Sequence, residues 1–252
     1  MSPDWLIPRW PAPGHVRAVC TTRQGGVSRP PYDGFNLGDH VGDDPIAVAH
    51  NRSLLQQALQ ARPVFLRQVH GTEIVRLDAQ AADTSQADAC CSDRRGVACT
   101  ILVADCLPLL VTDVEGRFVA AAHAGWRGLA GGVVEALLGR LTADYGVPAS
   151  AMLAWLGPCI GPQAFEVGDE VRAEFVAHDD RARSCLRPTG VAGKWLADLP
   201  ALARQRLQAL GLTEVYGNDG AAAWCTVGNP SRFFSHRRDR VSGRMAACIW
   251  RR

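Results

Sequence analysis

Ala104-Asp105-Cys106-Leu107-Pro108 and, shortly after it, Ala121-Ala122-His123-Ala124-Gly125-Trp126-Arg127-Gly128 close two runs of small and β-branched apolar residues. The runs are Val97-Ala98-Cys99-Thr100-Ile101-Leu102-Val103 and Phe118-Val119-Ala120-Ala121-Ala122. Short continuous apolar runs bounded by turn residues read as strands buried on both faces. Cys106 and His123 therefore fall where two core strands run out, and Glu115-Gly116 supplies a turn between them. The two strands are expected to be neighbours, which lets a thiol and an imidazole meet. Such a pair on rigid strands suits a zinc site, or a cysteine nucleophile with its base. The residues alone leave both open.

Working outward, a helix is expected from about Leu129 to Tyr145, stopped by Gly146, with Leu129, Val133, Leu137 and Leu141 on a broad apolar face. The Gly125–Gly128 turn leads into it, so backbone N–H groups and the positive dipole end would point towards His123 and suit an anion. Upstream, Val64–Gly71 reads as a strand ending at His70, Glu73–Leu77 as another, and Asp83–Arg95 as a polar loop. By itself a histidine at a strand end reads first as a structural hydrogen-bonder. Further upstream, His15–Thr22 alternates as a strand. The Gly/Pro/Asx-rich passage Arg23–Pro45 is long enough to be functional rather than idle.

Asp44-Pro45 opens a helix, with Asp44 as N-cap and Pro45 at its first position. Asn51 and Arg52 fall within the apolar rows formed by Val48, Leu54, Leu55, Ala58 and Leu59. Either they snorkel at the stripe's edge, or the helix's first half faces a polar site. Downstream, Met152–Leu156 reads as a buried strand and Asp169–His178 as a helix. Arg181–Lys194 reads as a polar loop, and Trp195–Leu210 as a long helix with Gly211 at C′. Short strands are expected near Val215-Tyr216 and Trp224–Thr226, and a terminal hairpin from Arg232–His236 and Gly243–Trp250. This irregular alternation argues one mixed α/β domain over residues 1–252 with at least one mixed sheet.

Composition narrows the class. With 252 residues, 47% hydrophobic and 21% charged, the chain has ordinary globular composition and enough length for a sizeable core. Asp105 and Pro108 interrupt the longest apolar run, so no membrane span is expected. Met1-Ser2-Pro3-Asp4-Trp5-Leu6 lacks the pattern of a secretory signal. Nine cysteines without scaffold spacing read as free thiols, one of them a ligand, in a cytoplasmic protein. Residues 231–252 carry seven Arg and one Asp, about +6 of a chain whose net charge is +2. That tail has no aromatic platform with interleaved basic residues, so nucleic acid is not the expected partner.

Beyond these patterns, several motifs occur together and in order: Thr21-Thr22-Arg23-Gln24-Gly25-Gly26, Asn36-Leu37-Gly38-Asp39-His40, Gln68-Val69-His70-Gly71, Ala104-Asp105-Cys106, His123-Ala124-Gly125-Trp126-Arg127-Gly128, Leu156-Gly157-Pro158-Cys159-Ile160 and Ser242-Gly243-Arg244-Met245. As a set they resemble the YfiH family, also called the laccase-domain or peptidoglycan-editing-factor family, from about residue 16 to the C-terminus. The resemblance implies an α+β fold, a single domain of mixed sheets flanked by helices and related to certain toxin deamidases that use a Cys–His pair. It also implies a zinc site made of His70, Cys106 and His123. The activities it implies are purine nucleoside phosphorolysis (methylthioadenosine included), adenosine deamination, hydrolytic editing of misassembled cell-wall precursors and, under an older label, copper polyphenol oxidation. Two stretches depart from the family's pattern. They are Cys90-Cys91, and Ser235-His236-Arg237-Arg238-Asp239-Arg240, where a Tyr after the Ser and a Gly after the Asp are more usual.

Two His and one Cys leave a fourth metal position for water or substrate, as catalytic zinc requires. Multicopper oxidation needs closely spaced His pairs. The seven histidines here, at 15, 40, 50, 70, 123, 178 and 236, include no His-x-His. Copper uptake by this His/Cys set reads as adventitious. The resemblance thus makes a nucleoside and phosphate the expected small-molecule partners. Arg127 with the helix start at Gly128 is expected to hold phosphate, with Arg23, Asn36 and Arg52 as further binding candidates. Cys106 and His123 are the expected catalytic groups, and Asp105 the nearest acid/base carboxylate, its alternative role being to shape a turn. The cross-class alternatives are a metal-free Cys106–His123 hydrolase, an editing hydrolase of UDP-muramoyl amino acids, and an RNA-binding module using the basic tail.

Overall fold

The computed structural model describes residues 4–81, 83 and 85–252. In chain order its main elements are β1 (Val16–Cys20), α1 (Pro45–Leu59), β2 (Arg62–Phe65), β3 (Ile74–Arg76), β4 (Ala89–Ser92), β5 (Val97–Val103), β6 (Leu107–Asp113), β7 (Val119–Ala124), α2 (Trp126–Gly131) and α3 (Val133–Tyr145). They continue with β8 (Met152–Leu156), β9 (Glu166–Gly168), α4 (Asp169–His178), β10 (Leu186–Pro188), β11 (Lys194–Ala197), α5 (Leu199–Ala209), β12 (Val215–Gly217), α6 (His236–Asp239) and β13 (Met245–Arg251). The strands form a four-stranded sheet β1-β13-β5-β2, a six-stranded sheet β12-β8-β6-β7-β4-β3 and a small sheet β10-β11-β9. Both larger sheets mix parallel and antiparallel pairs. The fold is α+β, with mixed sheets flanked by helices.

The two larger sheets pack face to face. Val64, Ile101, Leu110, Val119, Trp155, Phe234 and Ile249 fill the layer between them. On the far side of the four-stranded sheet, α1 covers Val19, Phe65, Leu102 and Trp250 with Leu55 and Leu59. On the far side of the six-stranded sheet, Leu109, Val111 and Leu156 pack with Leu137 and Leu141 of α3 and Leu202 and Leu207 of α5. Successive residues of a strand face opposite sides. In β5, Val97, Cys99, Ile101 and Val103 therefore meet the other sheet, while Ala98 and Leu102 meet the α1 side. Burial on both faces is why the run is apolar throughout. No helix among the described residues is long and apolar enough to cross a membrane.

Several elements differ from the sequence reading, each for a local reason. The Glu115-Gly116 turn does close a hairpin, but between β6 and β7, which pair antiparallel from Leu107↔Ala124 to Thr112↔Val119. The Val97–Val103 run lies in the other sheet. Within the stretch read as a polar loop, β4 is fully buried and pairs with β7. The helix expected from Leu129 to Tyr145 is broken at Gly132, which takes a left-handed φ of 97° between α2 and α3. The Trp195–Leu210 helix begins only at Leu199, because Asp198 caps it through the Ala201 amide and Pro200 sits in its first turn. The strand expected to reach His70 ends at Phe65. Arg232–His236 pairs with no strand, and β13 instead lies between β1 and β5.

Candidate metal centre

The chain changes sheets across Ala104-Asp105-Cys106, leaving β5 in one sheet and entering β6 in the other. Asp105 makes the corner with φ +90°, a left-handed conformation unusual for a side-chain-bearing residue. Cys106 is thereby set at the rim of the layer between the sheets, immediately before β6. On β7, His123 lies opposite Pro108 of β6 and is only 4% exposed. His70 reaches the same place from a turn rather than a strand, also at positive φ, +61°. Backbone strain of this kind persists only where the surroundings over-determine it.

What over-determines the His70 turn is Asp88, one residue before β4. Its buried carboxylate accepts the N–H groups of Val69 (3.0 Å), His70 (2.9 Å) and Gly71 (2.7 Å). It also lies 2.8 Å from His123 Nδ1, while the His123 amide donates to the Asp88 carbonyl at 2.7 Å. One carboxylate thus shapes the turn that carries the first imidazole and orients the second, leaving His123 Nε2 to face Cys106. Gln68 fixes the other flank, with both ends of its side-chain amide on the Leu102 backbone at 2.8 Å.

The three donor atoms lie within 4.8 Å of one another, and Cys106 Sγ is 3.7 Å from His70 Nε2. A tetrahedral zinc ion with N and S ligands keeps its donors about 3.5 Å apart, so the cluster fits one ion with a small closure. A carboxylate-held imidazole is the usual outer support of such a ligand. Gly125 is cut to the same purpose, since a Cβ there would come within 2.9 Å of both Cys106 Sγ and His70 Cδ2. Among the described residues this is the one group of three or more His, Cys, Asp or Glu side chains close enough to share a metal.

Without a metal the electrostatics favour a thiolate at Cys106 and an imidazolium at His123, whose Nε2 must release its proton for a metal to bind. Burial works against a Cys106 thiolate, but His123 and His70 outweigh it and push the thiol down to about 6. Burial likewise opposes a charged His123. The Cys106 and Asp88 charges reverse this and raise it to about 9. Burial would push Asp88 up, yet hydrogen bonds from His123 and the Gly71 and Val69 amides hold it below the ordinary carboxylate range.

Two clefts meet at Ala104, Cys106 and His236. One, of about 600 Å³, is walled by Trp126, Ile160, Phe165 and Leu199, with Arg237 and Arg240 at its edge. The other, of about 650 Å³, contains His70, Cys106 and His123 together with His40, Gln68 and Arg244. Asp105 lines the first cleft next to Cys106, and both its carboxylate oxygens are engaged. Its carboxylate accepts the Thr226 hydroxyl (2.5 Å) and the Arg237 amide (2.6 Å).

The expected binding residues are placed as follows. Asn51 is the hub of the Arg23–Pro45 loop, receiving Val27 N–H and donating to Ser28 Oγ and to the Gly34 and Asn36 carbonyls. Asn36 is buried within that loop, and Arg52 donates to Leu37 O and lies over the Phe65 ring, 4.0 Å from its centroid. Arg23 is held by Asp33 and the Pro230 carbonyl. Arg127 is exposed beside the Trp126 ring, and Gly128 lets α2 pack against the Gly71 carbonyl. None of Arg23, Asn36, Arg52, Arg127 and Gly128 lines either cleft. The cleft residues that sequence reasoning missed are His40, Trp126, Phe165, His236 and Arg244, along with Asp88 behind them. The neighbouring basic residue Arg238 donates to the Thr226, Val227 and Phe233 carbonyls.

Residues 17–252 match the family described as multi-copper polyphenol oxidoreductase laccase. The chain is 46% identical over 247 residues to the purine nucleoside phosphorylase YfiH of Escherichia coli, covering 97% of this chain and 98% of that protein. The chain belongs to this laccase-like YfiH family. Another relative, the Pseudomonas aeruginosa purine nucleoside phosphorylase PA4543, is 52% identical over 246 residues and covers 98% of each chain. Among solved structures, the Neisseria meningitidis protein NMB0706 superposes with a TM-score of 0.92 at 46% identity, covering 98% of this chain and 99% of that one. Bacillus licheniformis YfiH gives 0.88 at 28% identity, covering 94% and 93%.

Proposed function

We propose that this YfiH-family chain is a zinc-dependent purine nucleoside phosphorylase whose catalytic unit spans the whole sequence. The observation that carries the reading is the His70–Cys106–His123 cluster at the junction of two clefts. The one walled by Trp126 and Phe165, with Asp105, Arg237 and Arg240 also on its lining, offers an aromatic surface for a flat purine, and the more polar one suits ribose and phosphate. The family relatives named purine nucleoside phosphorylase support it. Bound zinc would supply a Lewis-acid centre for an oxygen of the substrate.

The chain's own groups supply the rest. Asp88 fixes the His123 tautomer and ring plane. The depressed Cys106 thiol provides a thiolate ligand at neutral pH. Trp126 and Phe165 exclude water from the base. In the reaction a phosphate oxygen bonds to ribose C1′ as the C1′–N9 bond breaks. The bonding pair leaves with the purine, which takes up the proton released by hydrogen phosphate. Adenosine plus phosphate thus gives adenine plus ribose 1-phosphate. Adenosine deamination, a second activity of the same site, is a different bond change: water adds at purine C6 and the amino group leaves as ammonia, giving inosine. Copper at these ligands is adventitious, since the donor set holds one ion rather than several.

A second reading has a specific observation in its favour. The facing Cys106 and His123, shifted to about 6 and about 9, form a thiolate–imidazolium pair that would serve a metal-free cysteine hydrolase. Protein purified without added metal, analysed for zinc and then given adenosine with and without phosphate, separates the readings. One zinc per chain, with adenine and ribose 1-phosphate formed only when phosphate is present, is expected. Metal-free protein whose Cys106 alkylates rapidly would overturn the zinc reading. Cleavage of a UDP-muramoyl amino acid without nucleoside turnover would overturn the phosphorylase reading.

A further inference from the structure

The polar cleft holds a guanidinium that forms no ion pair with a carboxylate among the described residues. Arg244, one residue before β13, lines it beside the three metal ligands. Among the described residues, the only hydrogen bonds of its guanidinium run from Nη1 to the Ser242 and Gly243 carbonyls, at 2.8 and 3.1 Å. Nε and Nη2, with their three N–H groups, meet no acceptor among the described residues, and no carboxylate pairs with the guanidinium there. Two other partly buried arginines are instead paired with carboxylates. Arg206 meets Glu135 at 2.7 Å and Arg238 meets Asp239 at 2.7 Å. The nearby carboxylate of Asp105 is already taken by Thr226 and Arg237.

Arg244 is also held from behind in a way that leaves its head group free. Asn36 Oδ1 accepts its amide at 2.8 Å and Leu37 N–H donates to its carbonyl at 3.1 Å. Gly38 makes room for its stem, since a Cβ at 38 would lie 2.8 Å from Arg244 Cγ. The Asn36-Leu37-Gly38 motif of the long loop thus grips residue 244 by its main chain and methylenes. A half-buried, unpaired guanidinium fork beside a reaction centre matches a tetrahedral oxyanion, which it binds in bidentate fashion.

We infer that Arg244 is the phosphate-binding residue of this site, seated by Asn36-Leu37-Gly38, and that it holds inorganic phosphate in the polar cleft while the base occupies the aromatic one. The inference rests on the phosphorylase reading for the identity of the anion, but not for its binding.

The test uses the zinc-loaded full chain and two variants that keep the stem, Arg244→Met and Arg244→Lys, checked for native circular dichroism and zinc content. Inorganic phosphate is titrated calorimetrically and by its effect on thermal unfolding, and the KM for phosphate is measured separately from the KM for adenosine. Arg244→Met is expected to weaken phosphate binding about tenfold to a hundredfold, the scale of lost charge-assisted hydrogen bonds. Arg244→Lys should fall between, with the adenosine KM unchanged. Folded Arg244→Met with wild-type phosphate affinity overturns the assignment, whatever the enzyme's turnover. Phosphate binding that depends on Arg244 in a protein that cleaves no nucleoside keeps the assignment and removes the phosphorylase reading. Adenosine 5′-monophosphate binding that depends on Arg244 and is tighter than that of free phosphate would overturn the choice of inorganic phosphate as the ligand.

Discussion

Asp88 is the residue on which the centre's geometry depends most. A single buried carboxylate accepts three consecutive amides of the His70 turn and orients His123. Asp88→Asn keeps the volume but presents an NH₂ group to donors, so at least one amide loses its acceptor. Loss of such an outer support costs about 10–100-fold in metal affinity, to be read from zinc competition with a chromogenic chelator. Unchanged affinity would mean the turn holds itself. The same carboxylate sustains the charge of His123, and that charge lowers the Cys106 thiol. In metal-stripped protein, Cys106 should therefore be alkylated with a midpoint near 6 rather than the ordinary 9.0. The sign follows from each shift. The thiolate forms above about 6, and the imidazolium facing it survives until pH rises through about 9. Stability drawn from the lowered thiol is lost as pH falls through about 6. In Asp88→Asn the alkylation midpoint should move upward.

Among the elements, the junction of β7 with α2 and the long loop against α1 decide how the ligands sit. Gly125→Ala places a Cβ within 2.9 Å of both Cys106 Sγ and His70 Cδ2 with no relief from backbone freedom, because φ there is an ordinary −63°. Overpacking of this kind costs about 1–3 kcal/mol. It should appear chiefly as lost zinc stoichiometry by elemental analysis, with near-native circular dichroism. Asn51→Ala leaves Val27 N–H and the Asn36 carbonyl without their partner, and the Gly34 carbonyl with the Ser28 amide alone. A loss of about 1–3 kcal/mol in urea unfolding is expected, with earlier proteolytic cutting between residues 23 and 44.

Much at this scale was legible in the sequence. The Asp44-Pro45 cap signalled α1, and Asp44 Oδ1 does accept the Ile46 amide. The polar pair Asn51-Arg52 within an apolar stripe left snorkelling and a polar site both open, and what the pair meets is the Arg23–Pro45 loop. The rest was hidden for physical reasons. Ala89-Cys90-Cys91-Ser92 is too short for periodicity to declare β4, so Asp88 looked like loop polarity. Pro108 hid β6, a central strand that tolerates it because pairing with β8 begins only at Leu109. His70 was visible only through its motif, since its turn is set by a carboxylate 18 residues away in sequence.

Taken as a whole molecule, the site exists because two sheets face each other and the chain crosses between them at Asp105. From there Asp105 reaches far along the chain, to the Thr226 hydroxyl and the Arg237 amide. It draws the segment carrying His236, Arg237 and Arg240 against the clefts that meet at Cys106. The sequence pattern showed Asp105 next to Cys106, but which of them faced substrate depended on a contact with a segment more than a hundred residues away. Two roles for this carboxylate predict different kinetics. As a positioning residue, its replacement in Asp105→Asn turns an amide donor towards the Arg237 N–H. That should cost about 1.5–3 kcal/mol in thermal or urea unfolding and raise the nucleoside KM as the His236–Arg240 wall loosens, with zinc content unchanged. As the acid/base group, the same substitution would lower kcat by about 10²–10⁴ and remove one limb of its pH profile while leaving KM in place. The hydrogen bonds that occupy both carboxylate oxygens predict the first outcome, and a lost pH limb at native stability would assign Asp105 to the chemistry instead.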